Sequence, residues 1–208
     1  MKFYKSKEEV ADSIVAAIES RTIGNTYYNE PFVGGGNIIS KVSFERRIGA
    51  DIDPNVIRAL RLVRDYPGQV PDFVDEKYYN ECQQKAFIKF LHSTECYTLF
   101  ASSINGVYCG GYELNPDLKS EAIEQSKLIK DVDLLIQHYE NTHFEPESVI
   151  YCDPPHFNFD WLMFWLWAGD LAAAGHSVFV SVPSAPDSWE CIMDCEGEKL
   201  FFKGRKSC

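Results

Sequence analysis

Apolar residues recur along this chain with two periods that alternate. Residues 7–20, KEEVADSIVAAIES, put Val10, Ile14, Ala17 and Ile18 on one face with charges opposite, the spacing of an amphipathic helix. Residues 27–33 are rich in aromatic and β-branched side chains and run into Gly34, Gly35 and Gly36, with Ile38 and Ile39 beyond. That pattern predicts a strand, a glycine turn and a helix. Residues 47–52 predict a second strand ending at Asp51 and Asp53, and Pro54 opens a helix reaching to about Asp65. The stretch 66–124 has no clean period: a loop with Pro and acidic residues, a helix over 76–92, then ASSINGVYCGGYELNP. Helix returns over 120–135. SVIYC then reads as a buried strand leading to Asp153-Pro154-Pro155-His156. A helix over 159–174 stopped by Gly175, and a strand over 177–182 broken by Pro183, complete the pattern. Strands alternating with helices predict an α/β fold with a doubly wound, mostly parallel sheet.

The chain has 208 residues, 45% of them apolar, which suits one domain over 1–208 with a mid-chain insertion at 66–124. Its net charge of -11 repels a phosphate backbone, so any nucleic-acid binding must come from a local basic patch or another subunit. Arg46, Arg47, Arg58, Arg61 and Arg64 form the one local basic run, which reads as a solvated helix face. Seven cysteines, an odd number, with no secretory leader suggest reduced thiols in a cytoplasmic protein. Cys191 and Cys195 lack a second ligand pair, so no metal is expected. No apolar run approaches the ~20 residues of a membrane span, so no membrane partner is expected.

In such a sheet ligands bind beyond the carboxyl ends of the strands. Three segments collect there. Glu30-Pro31-Phe32-Val33-Gly34-Gly35-Gly36 lets backbone approach a ligand, and a following helix N-terminus would offer free N–H groups to a carboxylate. Asp51 and Asp53 stand where a carboxylate can accept both hydroxyls of a ribose; Asp53 is expected to cap the helix while Asp51 points at ligand. In Asp153-Pro154-Pro155-His156 two prolines hold a carboxylate rigidly beside a ring.

EPFVGGGN at 30–37, GADIDPN at 49–55 and SVIYCDPPH at 148–156 resemble, in order and spacing, the motifs of the Dam-like, phage-type DNA adenine-N6 methyltransferases. FASSINGVYCGGYE at 100–113 is similar to their glycine- and aromatic-rich segment, so that 66–124 would be a target-recognition-like region. The resemblance implies a class I, Rossmann-like fold, S-adenosylmethionine as cofactor and adenine in duplex DNA as substrate. It further implies that the methionine end of the cofactor lies by Phe32, Gly34 and Gly36 beside Pro31, with Tyr4 in the opening segment. By the same resemblance the ribose is held by Asp51 with Asp53, and His138 occupies the position that contacts the cofactor's adenine amine. Asp153, Pro154, Pro155 and His156 would form the catalytic motif, with Asp153 also cofactor-facing and the ring stacking on a flipped-out base.

The chain departs from the family pattern at four positions. His156 replaces Tyr, which weakens stacking. Only Phe157 and Asn158 separate the motif from Phe159-Asp160-Trp161, so the loop over the target base is shortened. His138 replaces an Asp, and Lys5 replaces a glycine that allows close backbone approach. Impaired activity is therefore expected, with two alternatives: a non-catalytic protein acting through a protein partner, cofactor or homo-oligomer, and an enzyme acting on RNA or another amine. The aromatic stripe Trp161, Phe164, Trp165 and Trp167 is expected to be core; Phe157 and Trp161 are the exceptions nearest the shortened loop.

Overall fold

A computed structural model describes residues 10–22, 24, 26–87, 91–103, 108–155, 158–195 and 197–204. Its sheet has seven strands: β1 (Tyr27–Glu30), β2 (Arg46–Asp51), β3 (Val132–Ile136), β4 (Val149–Cys152), β5 (Ser177–Ser181), β6 (Glu190–Cys195) and β7 (Glu198–Lys203). They lie in the order β3-β2-β1-β4-β5-β7-β6. The first five are mutually parallel, and β7 runs antiparallel to β5 and β6. This mostly parallel sheet with a reversed strand near one edge is the expected doubly wound class. Two apolar clusters hold it together. One packs α1 (Ala11–Glu19), through Ala11, Ile14, Val15 and Ile18, and α2 (Pro54–Asp65) with Tyr28, Val149 and Tyr151. The other packs Phe164 and Ala168 of α6 (Trp161–Ala173) with Ile150, Val178 and Val180.

The helix predicted after the glycine turn is absent: Lys41 N–H donates to the Ile38 carbonyl at 2.9 Å, and residues 37–41 form turns only. Ile38 and Ile39 are both buried, so their adjacency serves a tight bend rather than a helical face. The helix predicted over 76–92 is α3 (Glu76–Phe87). A separate α4 (Ser93–Ala101) follows, with His92 as its N-cap in a capping box with Glu95. The helix predicted over 120–135 is α5 (Leu118–Ile129), and its second half is instead the edge strand β3. The hairpin β6–β7 has no counterpart in the predicted elements. Within 66–124, α4 and α5 both pack on α2.

The aromatic stripe on α6 is core only in part. Phe164 is buried, Trp161, Trp165 and Trp167 are half-buried, and Leu162, Met163 and Leu166 face outward, Leu162 at 72% exposure. The arginine run is exposed at Arg46, Arg58 and Arg61, as a solvated face should be, but three of its members also bond to main chain. Arg61 donates to the Leu134 carbonyl at 2.6 Å, Arg64 to that of Val132 at 2.8 Å, and Arg47 to those of Ile39 and Leu128 at 2.9 Å each. These guanidiniums tie α2 and β2 to main chain, much of it in β3.

Candidate active site

The chain passes outward from β1 to β2 to β3 and then returns to β4 on the other side of β1. The strand order thus reverses between β1 and β4, which is where an open α/β sheet leaves a crevice beyond its carboxyl ends. Three acids stand at the ends of the strands around it: Asp51 on β2, Glu30 on β1 and Asp153 just past β4.

After β1 the chain turns sharply. Val33 N–H donates to the Ala50 carbonyl and Gly36 N–H to the Val33 carbonyl, each at 2.8 Å. Gly34 and Gly36 have φ of 47° and 72°, the left-handed region that glycine occupies without a Cβ clash. From α5, Gln125 Nε2 donates to the Gly35 carbonyl at 2.7 Å, fixing the turn from outside. Because no helix follows, the anion-binding helix N-terminus predicted here does not form. The Gly34 N–H donates instead to Asp51 Oδ2 at 3.2 Å.

Asp51 also accepts from Asp53 N–H through Oδ1 at 3.0 Å. Burial pushes its carboxyl up to about 6, against the lowering effect of the N–H groups of Asp53 and Gly34. Asp53 caps α2, its Oδ1 accepting from Asn55 N–H at 2.8 Å. Between the two acids, Ile52 is 65% exposed. Asp51 is therefore held against the glycine turn and Asp53 against the start of the helix.

Phe32 packs against Tyr139, Phe159 and Phe164 with ring centroids 5.2, 5.8 and 6.0 Å away. His138 lies against Tyr139 in a tilted pair with ring centroids 4.5 Å apart, its Nδ1 3.4 Å from Glu140 Oε2. An aromatic wall thus joins Phe32 to His138. Asp153 is half-buried, Pro154 buried and Pro155 exposed, and residues 153–160 connect β4 to α6, whose N-cap is Asp160. Pro31 is buried. Tyr4, Lys5, His156 and Phe157 lie outside the described residues.

Glu30 is the site acid that pattern reading missed as more than part of a motif. It is 2% exposed, and the Tyr28 hydroxyl donates to its Oε1 at 2.8 Å. Burial pushes its carboxyl up to about 8. Tyr28 opposes the rise, the charge of Asp153 adds to it, and the Ile39 N–H opposes it. The available signal was parity: Glu30 shares a strand face with the aromatic Tyr28, where a charged side chain is out of place.

A family model described as D12 class N6 adenine-specific DNA methyltransferase matches residues 6–158. The chain belongs to that family. S-adenosylmethionine is accordingly its cofactor, and the residues present fit it. The Asp51 carboxylate keeps acceptor capacity for ribose hydroxyls beyond the N–H bonds from Gly34 and Asp53, and the glycine turn admits close backbone approach. Among solved structures, yhhF from Escherichia coli, provisionally assigned as a methyltransferase, is similar at 10% identity. That match has a TM-score of 0.46 and covers 97% of this chain and 90% of that one. SMU.472, also provisionally assigned as a methyltransferase and solved with SAH, is similar at 8% identity and TM-score 0.46, over 97% of this chain and 54% of its own. No curated protein matches the sequence. No helix among the described residues is long and apolar enough to cross a membrane.

Proposed function

We propose that this chain transfers a methyl group from S-adenosylmethionine to the N6 amine of adenine in duplex DNA. The observation that carries this reading is the neighbourhood of Asp51, the glycine turn and Asp153 at the carboxyl ends of β2, β1 and β4. When bound, the cofactor supplies an electrophilic methyl group on a sulfonium. Asp51 holds the ribose hydroxyls, Gly34 and Gly36 leave room for the methionine end beside Phe32, and His138 lies toward the adenine end. Asp153 and the Pro154 carbonyl accept the two hydrogens of the adenine amine, which turns the nitrogen lone pair toward the methyl group; such alignment supplies much of the rate. A bound cofactor would supply the methyl group for in-line displacement at its sulfonium, and Asp153 would take up the amine proton. By its place in the motif, His156 takes the stacking role toward the flipped base.

The test is transfer of labelled methyl from S-adenosylmethionine to unmethylated duplex DNA, with N6-methyladenine as product. Wild type should transfer and Asp153→Ala should not. Absence of transfer to any DNA by wild type would overturn the reading. The net charge of -11, with Arg47, Arg61 and Arg64 bonded to carbonyls, favours DNA contacts supplied by a partner protein or a second copy. The short 153–160 connection, which leaves little chain to cover a flipped base, favours a second reading: a non-catalytic member of the family that acts by binding. Calorimetric titration with S-adenosylmethionine and its product separates ligand-binding from ligand-blind forms of that reading.

A further inference from the structure

Three glycines in a row, Gly34, Gly35 and Gly36, do not specify one backbone shape, because glycine occupies positive and negative φ about equally. Residues 37–41 form turns only, so no helix fixes the segment from its far side. Its shape therefore depends on bonds made to it. The Val33–Gly34 peptide is held at both ends: the Val33 carbonyl accepts from Gly36 N–H at 2.8 Å, and Gly34 N–H donates to Asp51 Oδ2 at 3.2 Å. The Gly35–Gly36 peptide is held likewise, its N–H by that Val33 carbonyl and its own carbonyl by Gln125 Nε2 at 2.7 Å. A planar trans peptide points its C=O and N–H in opposite directions, so a bond at each end keeps the plane from rotating. Gln125 is the anchor among these that comes from far along the chain.

Gln125 also stands where the pattern calls for an apolar side chain. α5 buries Leu118, Ala122, Gln125 and Ile129, whose spacing marks one helical face. Gln125 is 8% exposed, and a buried amide is retained where a hydrogen bond satisfies it. Its helix is a firm base. α5 packs on α2, and the Tyr97 hydroxyl of α4 donates to the Leu118 carbonyl at 3.2 Å. Asn115 Nδ2 donates to the Ala101 carbonyl at the end of α4 at 3.3 Å and to Glu121 Oε2 of α5 at 3.0 Å. A Cβ on Gly36 would meet Leu60 Cδ2 of α2 at 3.5 Å and Gln125 Nε2 at 3.6 Å, so the turn lies against both helices. We propose that Gln125 is a positioning residue for the cofactor: through the Gly35 carbonyl it holds the glycine turn in one shape before S-adenosylmethionine arrives. The proposal rests on the reading that this turn receives the methionine end of the cofactor. Without the bond, the ordering of three glycines falls on the binding step, so affinity drops while the reacting groups keep their places.

Gln125→Met in the full chain keeps the length of the side chain and removes the donor. Calorimetry should show S-adenosylmethionine bound about tenfold more weakly than by wild type, the loss of one hydrogen bond. Ile129→Val, one turn farther along the same buried face, is the packing control: it should lower Tm and leave cofactor affinity unchanged. Unchanged affinity in Gln125→Met overturns the proposal, and so does a weakening that tracks Tm equally in both variants. Nitrogen-15 NMR of the cofactor-free chain reads the turn directly. The Gly34, Gly35 and Gly36 amides should be sharp in wild type and broadened by exchange in Gln125→Met, and the wild-type Gln125 side-chain amide should be protected from solvent exchange. Equally sharp glycines in both proteins, or a Gln125 amide that exchanges like an exposed one, overturn it. If wild type binds no S-adenosylmethionine, the cofactor reading of the turn is overturned; if wild type and Gln125→Met bind it equally, the proposal alone is. Where methyl transfer is observed, KM for S-adenosylmethionine should rise about tenfold in Gln125→Met with kcat little changed, and a fall in kcat at unchanged KM overturns the proposal.

Discussion

The ends of β1 and β2 each carry an acid, buried on β1 and half-buried on β2, and the two are satisfied in opposite ways. Glu30, at the end of β1, is enclosed on the sheet face with Tyr28 and Tyr151, and a phenol is its nearest side-chain donor. Asp51, at the end of β2, receives main-chain N–H groups from Gly34 and Asp53 on its two oxygens and lies beside exposed Ile52. Burial raises both, one to about 8 and the other only to about 6. The difference is chemical: a site that offers more N–H dipoles stabilises the carboxylate, while one closed by a weakly acidic hydroxyl and a neighbouring acid stabilises the protonated form. Neighbouring strands of one sheet can thus favour a charged acid at one end and a neutral acid at the next.

The strongest way to break this contrast is Glu30→Ala, which leaves a cavity and the buried Tyr28 hydroxyl without its acceptor. A loss of about 3 kcal/mol of stability is expected in urea unfolding. Glu30→Gln sharpens it. The folded state holds the Glu30 proton from its ordinary 4.5 up to about 8, so wild-type stability should be highest below that window and fall as pH rises across it. The same curve for Glu30→Gln should be flatter. On the other strand, Asp51→Ala should leave folding largely intact while weakening S-adenosylmethionine about 100-fold by calorimetry, the loss of two charge-assisted hydrogen bonds. Gly49, which pairs with Glu30 and precedes Asp51 by two residues, tests the frame between them. A Cβ there would meet Val33 Cγ2 at 2.8 Å, so Gly49→Ala should cost about 1–3 kcal/mol, read as a lower Tm. The smallest effect is on pH dependence. Cofactor affinity should rise by up to about tenfold per pH unit below about 6 and level off above, as Asp51 ionises.

The elements legible in the sequence are those with a single unambiguous signal. Asp53 and Pro54 mark the start of α2, and the apolar run of β4 ends at a proline pair. β3 was hidden because Val132–Ile136 follows a helix directly and buries only Val132 and Leu134, so its two-residue period merged with the helical one. α4 was hidden for the opposite reason: residues 95–101 are all buried, leaving no polar face to set a period. The β6–β7 hairpin escaped because β6 is an edge strand with charged residues and no buried position to mark a core face. At the site, Asp51 and the glycines could be read from their spacing. Glu30 could not be given its own role, because its state depends on Tyr28 and on the strand that arrives beside it from residues 149–152, far along the chain.

The arginines of α2 carry a final consequence. β3 is the last strand on its side of the sheet, and an open strand edge is a template on which another chain can add itself. The carbonyls of Val132 and Leu134, two residues apart along that strand, are already bonded by Arg64 and Arg61. Side chains that read as a solvated helix face in the sequence thus also act as a guard rail against strand-to-strand aggregation, and their loss would be felt first in solubility.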